Sequence, residues 1–179
     1  MVLARTNPKG NGVQAVQLTE DQKPELPTET ERIISAGGRV QKLFDDHGKA
    51  IGPFRVWEQN ANSPGLAMSR SIGDSAGNHI GIIPTPVTST YDRTGQELFI
   101  VAASDGIWDV LSNQEVVYFV EKLRNASSRE ITEPPEDIVS NITTCIAHLL
   151  CEEARKRWFK IVEREDVVID DISCVILEL

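Results

Sequence analysis

Short apolar runs separated by polar, turn-rich stretches set the rhythm of this chain. The opening "MVLART" is an apolar piece that runs into "NPKGNG", which predicts a strand and then a turn. "AVQLTEDQKP" is a second apolar run with a polar end. Helix punctuation surrounds "PTETERIISAGG": Thr28 and Glu31 stand at capping-box spacing, Ile33 and Ile34 supply an apolar face, and Gly37-Gly38 makes a stop. "RVQKLF" and "PFRVW" flank the polar "DDHGKAIG", predicting a hairpin excursion. Pro64, Gly65 and Gly73 break up "SPGLAMSRSIGD". After the loop "IPTPVTSTYDRTGQE", "LFIVAAS" is continuously apolar, the pattern of a strand buried on both faces. Ser112 and Glu115 form a second capping box that opens a helix through "NQEVVYFVEKLRN". "REITEPPED" reads as a linker. From Pro135 to about Trp158, Ile138, Ile142, Cys145, Ile146 and Leu149 recur at helical spacing and predict a long amphipathic helix. "VVIDDISCVILEL" closes the chain with an aspartate pair and an apolar strand. Strands and helices are interspersed without regular alternation, which predicts an α+β layered fold.

Composition narrows the classes. A chain of 179 residues, 40% apolar and 25% charged, fits one soluble domain. No stretch approaches the roughly 20 apolar residues of a membrane span, and the start has no signal-peptide core. The expected address is therefore cytoplasmic or nuclear, with no membrane partner. Eighteen basic against twenty-seven acidic residues give a net charge of −9, which repels a phosphate backbone and argues against nucleic-acid binding. Cys145, Cys151 and Cys174 lack paired metal-ligand spacing and read as small apolar side chains rather than a disulfide framework or a zinc site. Asn125-Ala126-Ser127 and Asn141-Ile142-Thr143 match the glycosylation sequon by chance, given the absence of a secretory signal.

Candidate chemistry concentrates on aspartates beside strands. Asp105 stands where the apolar run "LFIVAA" ends, and Gly106 removes a side chain that would crowd it. Asp109 follows four residues later, on the same side if the turn between them is helical. Asp170 precedes the last strand. Such carboxylates have two readings. They are turn formers and caps that bond nearby backbone N–H groups, or they converge on a hard divalent cation such as Mg²⁺ or Mn²⁺. Spacing alone leaves both open.

Four blocks, in the same order along the chain, resemble the metal-dependent serine/threonine protein phosphatases of type 2C. They are "LTEDQKPELPTETERIISAGGRV", "PGLAMSRSIGD", "FIVAASDGIWDVLSNQEVV" and "DDISCVILEL". The resemblance implies part of a four-layer α-β-β-α sandwich with a central antiparallel β-sandwich. It also implies hydrolysis of phosphoserine and phosphothreonine in a phosphoprotein substrate by a metal-activated water, without a phosphoenzyme. By resemblance Asp105 is shared between a core metal pair and an additional metal position, and Asp170 is a core ligand. Asp21 and Asp109 fall on ligands of the additional, more weakly held Mg²⁺ or Mn²⁺. Ser69, Arg70 and Asp74 fall in a block whose role is structural: Arg70 is expected in a salt bridge and Asp74 in a local bond.

The departures are equally specific. Gln22 replaces the family's histidine after Asp21, and Asp171 stands where many members have asparagine. The family's first half is absent. It carries an Asp-Gly-His-Gly aspartate that bridges the core metals, an upstream acidic ligand, a phosphate-binding arginine and a general-acid histidine. No catalytic side chain of that set is expected in residues 1–179. "DDHG" at 45–48 reads as a surface turn, and His79 and His148 as a loop and a helix residue. The chain is therefore expected to be a single, N-terminally incomplete domain of this family, with the missing half as a partner. A non-catalytic phosphatase-like binding or regulatory module is the competing reading, and simple cation binding by Asp21, Asp105 and Asp109 a third.

Overall fold

The computed structural model describes residues 1–8, 10, 12–130, 136–162 and 169–179, with side chains described for all of these except 127–130 and 136–145. It is an α+β protein with antiparallel sheets, in two compact units. One unit comprises Met1–Thr19 and Thr90–Leu179, the other Glu20–Ser89.

The first unit is built on a four-stranded antiparallel sheet. Its strands are β1 (Val2–Thr6), β2 (Val13–Gln17), β6 (Glu97–Ala103) and β7 (Cys174–Glu178), in the order β2-β1-β6-β7. Register pairs Val2 with Gln17 on one side and Val101 on the other, and Ala103 with Cys174. That register brings Val2, Ala4, Phe99 and Val101 into one core with Ile107, Leu111, Val116, Val117, Val120, Ile146, Leu150 and Ala154. The helical side of this core comes from α4 (Asn113–Glu130) and α5 (Glu136–Val162). Burying a Val or Phe side chain there contributes about 1.5–3 kcal/mol each.

The continuous apolar run of β6 predicts burial on both faces, and the structure departs from that. Glu97, Phe99 and Val101 are buried, while the alternate residues Leu98, Ile100 and Ala102 are half-buried. On that second face, Val175 and Leu177 of β7 are 67% and 56% exposed. The helices cover one side of the sheet, so period-two alternation reappears in burial although Leu98 to Ala103 are all apolar.

Helix starts divide the two capping boxes. Ser112 and Glu115 form one: the Glu115 carboxylate accepts from the Ser112 N–H at 2.9 Å and its hydroxyl at 2.7 Å. Arg157 of α5 donates to the same carboxylate at 2.7 Å, tying the two helices together. Hydrogen bonds from Ser112, then the Arg157 guanidinium, bring the Glu115 carboxyl down to about 2. The predicted Thr28–Glu31 box does not form. In α1 (Pro27–Ser35) Pro27 takes the first helical position, so the N-cap is Leu26, without a side-chain cap bond. The Thr30 hydroxyl closes the turn on Pro24 O at 2.6 Å instead.

The second unit holds a three-stranded sheet of β3 (Gly38–Phe44), β4 (Ala50–Glu58) and β5 (Pro64–Leu66), with α1 against β3. Ile33, Val56, Ile80 and Ile82 form its core. The Gly-Gly stop is specific in its chemistry: Gly37 has φ +85°, and a Cβ on Gly38 would lie 2.8 Å from Ile33 Cγ2. The predicted hairpin over "DDHGKAIG" is present, its turn closed by Asp45, whose Oδ1 accepts from His47 N at 3.0 Å and Lys49 N at 2.8 Å. A four-residue helix, α2 (Ser75–Asn78), follows Asp74. Asp74 occupies its N-cap without the expected side-chain bond.

Of the predicted linker, Arg129–Glu130 lie in α4 and Glu136 in α5, and 131–135 lie outside the described residues. The buried stripe of α5 runs through Ile146, Leu150, Ala154 and Trp158. Leu149, expected on it, is 39% exposed; Ile138, Ile142 and Cys145 have undescribed side chains.

Candidate functional site

The strand β6 ends at Ala103 and passes through Ser104 into α3 (Asp105–Trp108), a single helical turn. Five hydrogen bonds hold this junction. Ser104 N donates to Ser173 O at 3.0 Å, continuing the β6–β7 ladder past its last strand pair. The Ser104 hydroxyl donates to Asp171 O at 2.7 Å and accepts from Ser173 N at 3.1 Å. Trp108 Nε1 reaches back to Ala103 O at 2.9 Å, and Trp158 of α5 donates to Gly106 O at 2.7 Å. Ile107 and Leu111 anchor the turn in the core.

Gly106 is required here by contact rather than by dihedral angle. A Cβ at this position would lie 2.4 Å from Asp171 O and 2.9 Å from its carbonyl carbon, so only glycine lets α3 rest on the chain entering β7. Asp105 and Asp170 are thereby carried at the same end of adjacent strands, one leaving β6 and the other approaching β7. Both side chains are exposed, as are those of Asp109 and Asp171. Asp109 closes α3, its N–H donating to Asp105 O at 2.9 Å, so Asp105 and Asp109 are one helical turn apart as the spacing predicts. The Asp170 Oδ1 accepts from Asp171 N at 2.8 Å, a local turn bond of the kind the bland reading of these aspartates expects.

Asp21, the fourth candidate, is exposed and belongs to the other unit. Its neighbour Gln22 is fixed: the Gln22 carbonyl accepts from Ser69 N at 2.9 Å and lies 2.7 Å from the Ser69 hydroxyl, whose one proton it shares with Glu29. Ser69 in turn belongs to a network centred on Glu29, whose side chain is fully buried. Arg32 donates to Glu29 Oε1 and Oε2 at 2.6 and 2.7 Å, and Arg70 at 2.7 and 3.0 Å. The Arg70 guanidinium, against the opposing effect of burial, and then Arg32 and Ser69 hold the Glu29 carboxyl far below the usual carboxylate range. Arg32 also bonds Gly81 O and Ser69 O, each at 2.9 Å, so the network joins α1 to two loops. Arg70 is thus the salt-bridge partner expected from the sequence. Glu29 as its hub was not marked by the sequence reading; the signal available was a glutamate on the otherwise apolar side of an amphipathic helix.

The donor set is chemically suited to a hard cation, being all carboxylate oxygen. Among the described residues, no group of three or more His, Cys, Asp or Glu side chains stands together as a metal site. The structure therefore brings together the backbone segments of Asp105 and Asp170, with Asp109 one turn on, rather than a closed coordination shell. His79 caps the end of α2 and faces Glu58 at 3.4 Å on the surface, and His148 is an exposed residue of α5.

Comparison with known proteins bears directly on these segments. Residues 1–156 match the family model of protein phosphatase 2C. The chain is 38% identical over 98% of its length to probable protein phosphatase 2C 48 of Oryza sativa subsp. japonica, and 40% identical over 99% to probable protein phosphatase 2C 73 of Arabidopsis thaliana. It spans 44% and 41% of those relatives. Among solved structures, serine-threonine phosphatase 2C from Toxoplasma gondii superposes with a TM-score of 0.71 at 20% identity, over 99% of this chain and 50% of that one.

Proposed function

The chain belongs to the protein phosphatase 2C family, and from that premise we propose that it is part of a metal-dependent phosphatase acting on phosphoserine and phosphothreonine in protein substrates. The observation that carries the proposal is the junction after β6, where Gly106 and Ser104 lock the Asp105 turn onto the Asp170–Ser173 segment. Ser104 occupies the N-cap of α3, so the turn itself does not call for a carboxylate at Asp105. This junction instead holds two carboxylates outward from adjacent strand ends, with a third one turn later.

In this reading Asp105 and Asp170 would hold core ions, and Asp109 in the first unit and Asp21 in the second would each serve weaker cation binding. Mg²⁺ or Mn²⁺ when bound supplies Lewis-acid activation of a water and neutralises charge that develops on the phosphoryl oxygens. The chain's own residues do positioning work. Ser104 and Gly106 fix the Asp105 backbone, Trp158 and Trp108 brace α3 from two sides, and Ser69 pins the carbonyl that follows Asp21. The four-stranded sheet, with helices on one face, forms one sheet and one helical layer of the four-layer sandwich. The chain spans 44% and 41% of those relatives, and in this reading the bridging aspartate, the phosphate-binding arginine and the general-acid histidine of the family would be supplied by sequence outside it.

The test is hydrolysis of a phosphoserine peptide by this chain joined to the upstream region of its relatives. Release of phosphate that stops with chelator and returns with Mn²⁺ is expected. Metal-independent turnover, or turnover by an accumulating phosphoenzyme, overturns the reading. The non-catalytic module has no observation of its own in its favour.

A further inference from the structure

Cys151 of α5 and Cys174 at the start of β7 place their sulfurs 3.8 Å apart. They are 23 positions apart in sequence, and nothing in the candidate site uses them. Cys174 pairs with Ala103 across the β6–β7 ladder and lies 3.5 Å from Ala147 O, one helical turn before Cys151. The strand's first residue thus rests on the face of α5 that carries Cys151, and both thiols are half-buried at the edge of the core rather than sealed in it. Two cysteines serving only as small apolar fillers have no need to meet. These meet in van der Waals contact across two elements, each fixed by its own hydrogen-bonding ladder.

We propose that Cys151 and Cys174 are a modification site, an intrachain pair that hydrogen peroxide oxidises to a disulfide linking α5 to β7. The chemistry closes with the peroxide as sole oxidant. The Cys151 sulfur attacks one peroxide oxygen, the O–O bond breaks, and a sulfenic acid and one water result. The Cys174 sulfur then displaces the sulfenic oxygen, the S–S bond forms, and a second water leaves with the remaining thiol proton. Two thiols are oxidised by two electrons and the peroxide is reduced by two. Burial, and then the neighbouring Cys151, push the Cys174 thiol upward, which disfavours Cys174 as the first nucleophile. The sulfurs must approach by roughly 1.8 Å to reach the usual bond length of about 2.05 Å, a movement within reach of side-chain rotation.

The third thiol makes the test decisive. Cys145 is six positions from Cys151 in sequence, so in an unfolded chain loop-closure entropy favours the Cys145–Cys151 link over the longer one. The full chain is treated with hydrogen peroxide, alkylated, digested without reductant and mapped by mass spectrometry, once folded and once in urea. The expected result is a Cys151–Cys174 peptide pair, two hydrogens lighter than its parts and reversed by dithiothreitol, dominant in the folded sample. In urea the product shifts toward Cys145–Cys151. A folded sample dominated by Cys145–Cys151, by links between chains, or by sulfinic and sulfonic acids without a cross-link overturns the proposal.

Discussion

Gly106 shows how a single missing side chain sets the geometry of the candidate site. With 2.4 Å between a would-be Cβ and Asp171 O, Gly106→Ala forces α3 away from the entry to β7. The expected cost is about 1–3 kcal/mol, as for other overpacked positions, read from the urea midpoint. Glu115 gives a second prediction at this scale. Its carboxyl falls from an ordinary 4.5 to about 2 because Ser112 and Arg157 bond the charged form. A lowered pKa means its contribution is complete above pH 4.5 and is lost as pH falls toward 2. Glu115→Gln should therefore lower stability at neutral pH and flatten the acid limb of the stability curve between those values. A variant with an unchanged acid limb would show that the bonds from Ser112 and Arg157 to the charged carboxylate contribute nothing. The sequence marked Glu115 and Thr28 by the same pattern. Only the first is a box, because Pro27 displaces the start of α1 by its own preference for the first helical position.

At the scale of elements, α1 is held by charge as much as by apolar contact. Glu29 accepts from two arginines and a serine while fully buried, and those arginines are themselves 24% and 21% exposed. Glu29→Ala leaves two guanidiniums facing a cavity, though with some access to water. Loss of about 3 kcal/mol is expected, at the low end for a broken buried ion pair, with differential scanning calorimetry as the measurement. Arg70→Lys should recover little, because an ammonium cannot reproduce the two-pronged contact. Elements were legible where local chemistry sets them: the β3–β4 hairpin, the Gly-Gly stop and the start of α4 all follow from neighbouring residues. The exposed side of β7 was not, and the buried stripe of α5 was legible only at Ile146. Leu149 fits a helical period as well as Leu150 does, and packing against the sheet, a long-range matter, chose Leu150. The contact of Cys151 with Cys174 was hidden for the same reason, since no spacing rule links a helix to a strand 23 positions later.

For the whole molecule, the four motif blocks were readable because each is a continuous segment with its own turn chemistry, and the family match over residues 1–156 takes in the first three of them. The division into two compact units was not readable, since the first unit is assembled from both ends of the chain. Asp105, Asp109 and Asp170 fall in that unit and Asp21 in the other. The account therefore stands on the β6–β7 junction more than on any single aspartate. Its most direct test is Mn²⁺-dependent hydrolysis of a phosphoserine peptide, comparing Asp105→Ala and Asp170→Ala with Asp45→Ala, all in the chain joined to its relatives' upstream region. Asp45 serves as the comparison because its carboxylate only closes a hairpin turn. The account predicts that the first two variants lose at least about 100-fold in turnover, roughly 2.7 kcal/mol of transition-state stabilisation, while Asp45→Ala keeps wild-type turnover. Full Mn²⁺-dependent turnover in Asp105→Ala would contradict it.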